Sequence, residues 1–173
     1  MIKRFALFCS AALCQLAVAG TAPTATDAFD RIVTTLADHS AFRMSSADLD
    51  VLLAPFCKKT SDRVIETMIV RRYSCSSAAG LAEIRMDSRE GFGPPLPNYM
   101  MTISVDFSID KFAGVKTQIE KKLGRGKQRS KDFIEWRYGA DKALNEVGNP
   151  VINLSRDSSD HSASLHVALE QGP

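Results

Sequence analysis

Met101-Thr102-Ile103-Ser104-Val105-Asp106-Phe107-Ser108-Ile109 is the stretch whose reading decides the fold. Apolar and polar residues alternate along it without a break. A strand projects successive side chains to opposite faces, so this pattern puts one face on a core and leaves the other in water. Parallel strands are covered on both faces and read as continuous apolar runs; alternation this clean predicts an antiparallel sheet.

The same pattern recurs on both sides of that stretch. Upstream, Val64 to Tyr73 is rich in β-branched residues and reads as one strand, and Ala82, Ile84 and Met86 alternate with Glu83, Arg85 and Asp87. Downstream, Ile134, Trp136 and Tyr138 alternate with Phe133, Glu135 and Arg137. Ile152 and Leu154 mark a fifth strand. Ala163, Leu165, Val167 and Leu169 alternate with Ser164, His166, Ala168 and Glu170 in a sixth, after a turn at Asp157–Asp160.

Between these strands the apolar period changes to that of a helix. Phe29, Ile32, Val33 and Leu36 share one helical face. Ser45 and Asp48 form a capping box ahead of Leu49, Leu52 and Leu53, in a short helix stopped by Pro55. Asp110 is placed to cap a helix carrying Phe112, Val115, Ile119 and Leu123, with Gly124 at its C-terminal end. Residues 140–147 have the composition of one or two helical turns. The expected order is α-α-β-β-β-α-β-β-β, a two-layer α+β domain. Its six-stranded, mostly antiparallel sheet carries the helices on one face.

The N-terminus carries an address. Lys3 and Arg4 precede an apolar run from Phe5 to Val18, and Ala17-Val18-Ala19 supplies the small residues that a signal peptidase reads. The run is about fourteen residues, short of the roughly twenty a membrane-spanning helix needs. The expected organisation is a signal peptide over 1–19, a flexible mature N-terminus over 20–26 and a single domain over 27–173, with no transmembrane anchor. The address is periplasmic or secreted.

Removing the leader changes the charge. Two of the 22 Lys and Arg lie in it and none of the 20 Asp and Glu, so 20 basic residues face 20 acidic ones. A balanced chain has no long-range field to draw it to nucleic acid. Two of the four cysteines also go with the leader. Cys57 and Cys75 remain, an even pair in an exported chain, and are expected to form one disulfide. It would staple the helical hairpin to the first strand.

No GxSxG, HExxH, P-loop or GxGxxG motif is present. His161 and His166 are five apart and face opposite ways in a strand, so they make no metal pair. No cofactor or metal is expected. Three surfaces are candidate contacts. The polar sheet face displays Arg85, Ser104, Asp106, Glu135, Arg137 and His166 among others; half-buried strands always show water such a face, and His166 beside Asp106 or Glu135 would also suit a general base. The run Lys121–Lys131, with Arg125, Lys127 and Arg129, suits an anionic surface, although basic residues also simply complement a helix C-terminus. The Gly91–Pro97 loop offers Phe92 and Leu96, which either meet a partner or tuck over the core.

Size, address and lack of a catalytic motif point to a small non-enzymatic binding protein. Its partner would be another envelope protein, with an inhibitor or immunity-type protein against an envelope-targeted enzyme as the specific candidate. The alternative is a small periplasmic hydrolase using His166 with a neighbouring carboxylate.

Overall fold

The computed structural model describes residues 25–76, 80–90, 98–138 and 148–170. The leader, residues 20–24, Phe92, Leu96 and the 140–147 segment lie outside the described residues.

Among the described residues three helices and eight strands follow one another as α1 (Ala25–Leu36), α2 (Ser46–Leu53), β1 (Cys57–Ile65), β2 (Met68–Cys75), β3 (Leu81–Glu90), β4 (Asn98–Ser108), α3 (Phe112–Leu123), β5 (Lys127–Ser130), β6 (Phe133–Arg137), β7 (Asn149–Asp157) and β8 (Ser162–Glu170). Short 3-10 turns precede α2 at His39–Arg43 and α3 at Ile109–Lys111. The strands form one sheet in the order β1-β2-β3-β4-β8-β7-β6-β5, with every neighbour antiparallel. The α+β architecture follows the alternation, but the sheet has eight strands rather than six.

Both additional strands lie where the sequence signal is weak. The single strand read over 64–73 is the turn region of a hairpin: β1 and β2 are joined by Glu66 and Thr67, with Ile65 opposite Met68. Glu66 takes a left-handed backbone (φ 56°) that glycine or asparagine ordinarily supplies, so no turn residue announces it. The basic loop is β5, four exposed residues pairing with β6.

Two bulges shift the alternation. One extra residue in β3 leaves both Ala82 and Glu83 exposed and brings Leu81 into the core. One extra residue in β4 puts Met100 in the core in place of Met101. Tyr138 lies beyond the end of β6 and packs edge-on against Phe42, ring centroids 5.4 Å apart.

The helices cover one sheet face. Phe29, Ile32, Val33 and Leu36 of α1, Leu49 and Leu53 of α2, and Val115 and Ile119 of α3 are buried with Ile84, Ile103, Val105, Ile152, Leu154, Leu165 and Val167 in one cluster. The capping box of α2 forms as its sequence predicts, with Ser45 and Asp48 bonded reciprocally. Asp110 does not cap α3. It lies in the preceding 3-10 turn, and Lys111 holds the N-cap position without a side-chain bond. Gly124 ends α3 at φ +77°. No helix among the described residues is long and apolar enough to cross a membrane.

Cys57 and Cys75 form a disulfide, their Cα atoms 4.0 Å apart as direct cross-strand partners. The bond closes the open end of the β1–β2 hairpin rather than joining α2 to a strand. What ties α2 to the hairpin is Asp50. Its carboxylate accepts from Arg71 Nη1 (2.9 Å), Lys59 Nζ (3.2 Å) and the hydroxyl of the buried Tyr73 (2.8 Å).

Asp38 links the His39–Arg43 turn to α3. Its Oδ1 accepts from the Ser40 backbone N–H (3.0 Å) and hydroxyl (2.7 Å), and Lys122 Nζ lies 3.2 Å from Oδ2. The Ser40 backbone bond, then the Ser40 hydroxyl, then Lys122 pull the carboxyl from 3.8 down to about 2. The folded value lies below the unfolded one, so this contribution is complete above the ordinary carboxylate range and is lost as pH falls from 3.8 towards 2. Thermal melts of Asp38→Asn should show a flatter dependence of Tm on pH across that window than the wild type. A parallel dependence would contradict the assignment.

Candidate functional site

Cross-strand register builds the uncovered face. One row runs through all eight strands: Ser61, Arg72, Arg85, Ser104, His166, Asn153, Glu135 and Lys127 are successive Cα partners. The next row holds Arg63, Val70, Asp87, Thr102, Ala168, Val151 and Arg137. The sequence expectation that Arg85, Ser104, Asp106, Glu135, Arg137 and His166 share a face agrees with this register. The face is not uniformly wet. Val151 is fully buried and Ala168 nearly so. Arg137 reaches from β6 across β7 to Glu170 on β8 (3.2 Å).

At the centre, His166 Nδ1 lies 2.9 Å from Ser104 Oγ. Burial holds the imidazole below its ordinary pKa, and the charge of Glu170 opposes that in part. Neither carboxylate considered as its partner bonds to it among the described residues. Asp106 accepts from the Ser164 hydroxyl. Glu135 accepts from Arg129 Nη2 (2.8 Å) and Arg137 Nε (2.9 Å), and the Arg129 bond is the larger cause of its lowered pKa. Among the described residues this centre brings together the Ser104 hydroxyl and the His166 imidazole without a carboxylate bonded to the ring. No group of three or more metal-ligating side chains occurs among the described residues.

At the β5 edge, Arg125, Lys127, Arg129, Glu135 and Arg137 surround a depression of about 260 Å3 beside Trp136. The sequence placed these residues on two separate surfaces; the pairing of β5 with β6 joins them. All four residues of β5 are exposed, and Arg129 sits at a bulge. Basic residues and a bulge are how a sheet edge avoids pairing with another chain.

The opposite end of the face is different. A depression of about 630 Å3 lies over β1, β2 and β3. Three guanidinium groups line it: Arg63, Arg72 and Arg85. Its apolar surface comes from Ile65, Met68 and Val70. Arg72 stands directly opposite Arg85, and Arg63 is diagonal to Arg72. Directly opposed like charges destabilise a strand pair. The only carboxylate bonded to any of the three is Asp87, 3.3 Å from Arg85; Arg63 and Arg72 have no ion-pair partner among the described residues.

Comparison with family models, with curated proteins and with solved structures finds no match.

Arg85 was among the residues expected on the polar face, but Arg63 and Arg72 were not. The signal was present: Arg63 and Ile65, then Met68, Val70 and Arg72, fall on one face once a two-residue turn is placed at Glu66-Thr67. Reading 64–73 as one strand concealed it.

Proposed function

We propose that this chain is a small exported binding protein that captures another protein of the cell envelope through the β1–β3 end of its open sheet face. The observation that carries this reading is the three-arginine depression with its apolar floor. Arginine and methionine are enriched where proteins bind one another, and here exposed arginines stand beside apolar surface from Ile65, Met68 and Val70. Arg72, opposite Arg85 and without an ion-pair partner among the described residues, weakens the free protein, a cost that an anionic partner removes on binding. The disulfide supports an oxidising compartment, as does the apolar leader read from the sequence. An inhibitor or immunity-type role against an envelope-targeted enzyme is the specific form of the proposal.

The test uses the oxidised protein as bait in envelope extract, beside Arg72→Glu. A single polypeptide retained in stoichiometric amount by the wild type, and lost with the variant, is the expected result. Equal retention by both baits would refute the assignment of the surface.

A further inference from the structure

The two sheet edges are guarded unequally. Strand β5 is short, basic and exposed along its whole length, with a bulge at Arg129. Strand β1 carries its bulge in the first half, at Thr60 after Lys58 and Lys59. From Ser61 to Ile65 it is regular, and it ends on the two most exposed large apolar residues of any described strand, Val64 at 68% and Ile65 at 54%. That half of the edge borders the arginine-lined depression.

The register shows which backbone groups are free. The Ser76 N–H donates to the Phe56 carbonyl (3.0 Å), so the adjacent Cys57–Cys75 pair is a non-hydrogen-bonded one. Alternating along β2 from Cys75 makes Tyr73, Arg71 and Ile69 non-hydrogen-bonded positions, and Met68 then closes the two-residue turn as a bonded pair, as such turns require. Arg71 and Ile69 face Asp62 and Val64. The backbone N–H and C=O of Asp62 and Val64 therefore point away from β2, towards the edge that no other described strand pairs with.

We propose that the partner adds an extended acidic segment to this edge as a ninth strand. The inference rests on the binding function proposed above and names the chemistry of its ligand. Backbone bonds to Asp62 and Val64 would hold the segment. Its alternate side chains on the open face would be carboxylates meeting Arg63, with Arg72 and Arg85 behind. Its other face would cover Val64. Charge complementarity selects this occupant: an apolar strand would leave the guanidinium groups unneutralised, and a basic one would add to their repulsion.

A synthetic peptide of alternating glutamate and valine is the probe, with an alternating lysine and valine peptide as its counterpart. In such a strand all glutamate N–H groups face one edge and all valine N–H groups the other. Two further peptides, N-methylated at every glutamate or at every valine, block one edge each without touching the protein. The acidic peptide should bind, perturb and protect the amides of Asp62 and Val64, and weaken about tenfold or more with Arg72→Glu. One methylated peptide should bind as the parent does and the other should fail.

Equal binding of the two methylated peptides, or of the lysine peptide, would overturn the proposal. So would a concentration-dependent dimer protecting the same amides without peptide, because the edge would then belong to a second copy. If the extract polypeptide is still lost with Arg72→Glu while both methylated peptides bind alike, the open-face reading stands and strand addition falls.

Discussion

Replacing Cys57 and Cys75 together by serine should cost the protein about 3 kcal/mol, the chain-entropy value for a loop of this length. The two cysteines are 18 residues apart and close the end of the β1–β2 hairpin remote from its turn. At a few degrees per kcal/mol for a chain of this size, Tm should fall by about 6–12 °C. The loss should be uneven across the molecule. Among the described strands β1 has a neighbour on one side only, and most of its residues are exposed, so little apolar burial holds the hairpin when the bond is gone. Hydrogen exchange should therefore quicken first in β1 and β2, while β4, β8 and β7 at the sheet centre keep their protection. A uniform loss of protection would show that the bond supports the whole domain and not the hairpin that carries the arginine depression.

Trp136→Ala should cost more, about 3–5 kcal/mol. The indole is 4% exposed and belongs to the main core cluster. Its Nε1 donates to the Gly124 carbonyl (3.0 Å), fastening the end of α3 to β6. The chain between them passes close enough that a Cβ on Gly126 would lie 2.5 Å from the ring. Truncation opens a cavity, orphans the Gly124 carbonyl and frees the approach to β5. Urea denaturation followed by far-UV circular dichroism measures the loss, since Trp136 is the only tryptophan and its fluorescence disappears with it. A cost under about 1 kcal/mol would mean that the site collapses around the deletion.

These predictions rest on elements of unequal legibility in the sequence. The stretch Met101–Ile109 announced a half-wet antiparallel strand, and Ile103, Val105 and Phe107 are buried while Ser104 and Asp106 lie on the open face. The helical faces of α1, α2 and α3 were equally plain, because each apolar stripe packs on one sheet face and nothing else competes for it. What failed was local. Glu66 adopts a turn conformation without a turn residue, so a hairpin read as one strand. Lys127–Ser130 has no apolar residue to alternate with, because an edge strand lying outside the helical layer has nothing to bury. The bulges at Ala82–Glu83 and Met101 each shift the pattern by one residue, which only the partner strand reveals.

The candidate site followed the same division. The polar face was legible from alternation alone. The grouping within it was not, since Glu135 meets Arg129 and Arg137 only through the β5–β6 pairing, and Arg63 and Arg72 reach Arg85 only through the hairpin. The motif-poor composition of the chain fits a surface assembled by register rather than by a contiguous motif.

The proposed binding function depends on Arg72 and Arg85 being kept opposite each other for a partner and not for the fold. One variant, Arg72→Glu, separates the two, because it converts a repulsive cross-strand pair into an attractive one. Measuring its urea midpoint and its capture of the envelope polypeptide in the same preparation is the most direct test. The account predicts opposite signs: stability raised by about 0.2–1 kcal/mol, capture abolished. A variant that binds as well as the wild type, whatever its stability, would contradict it.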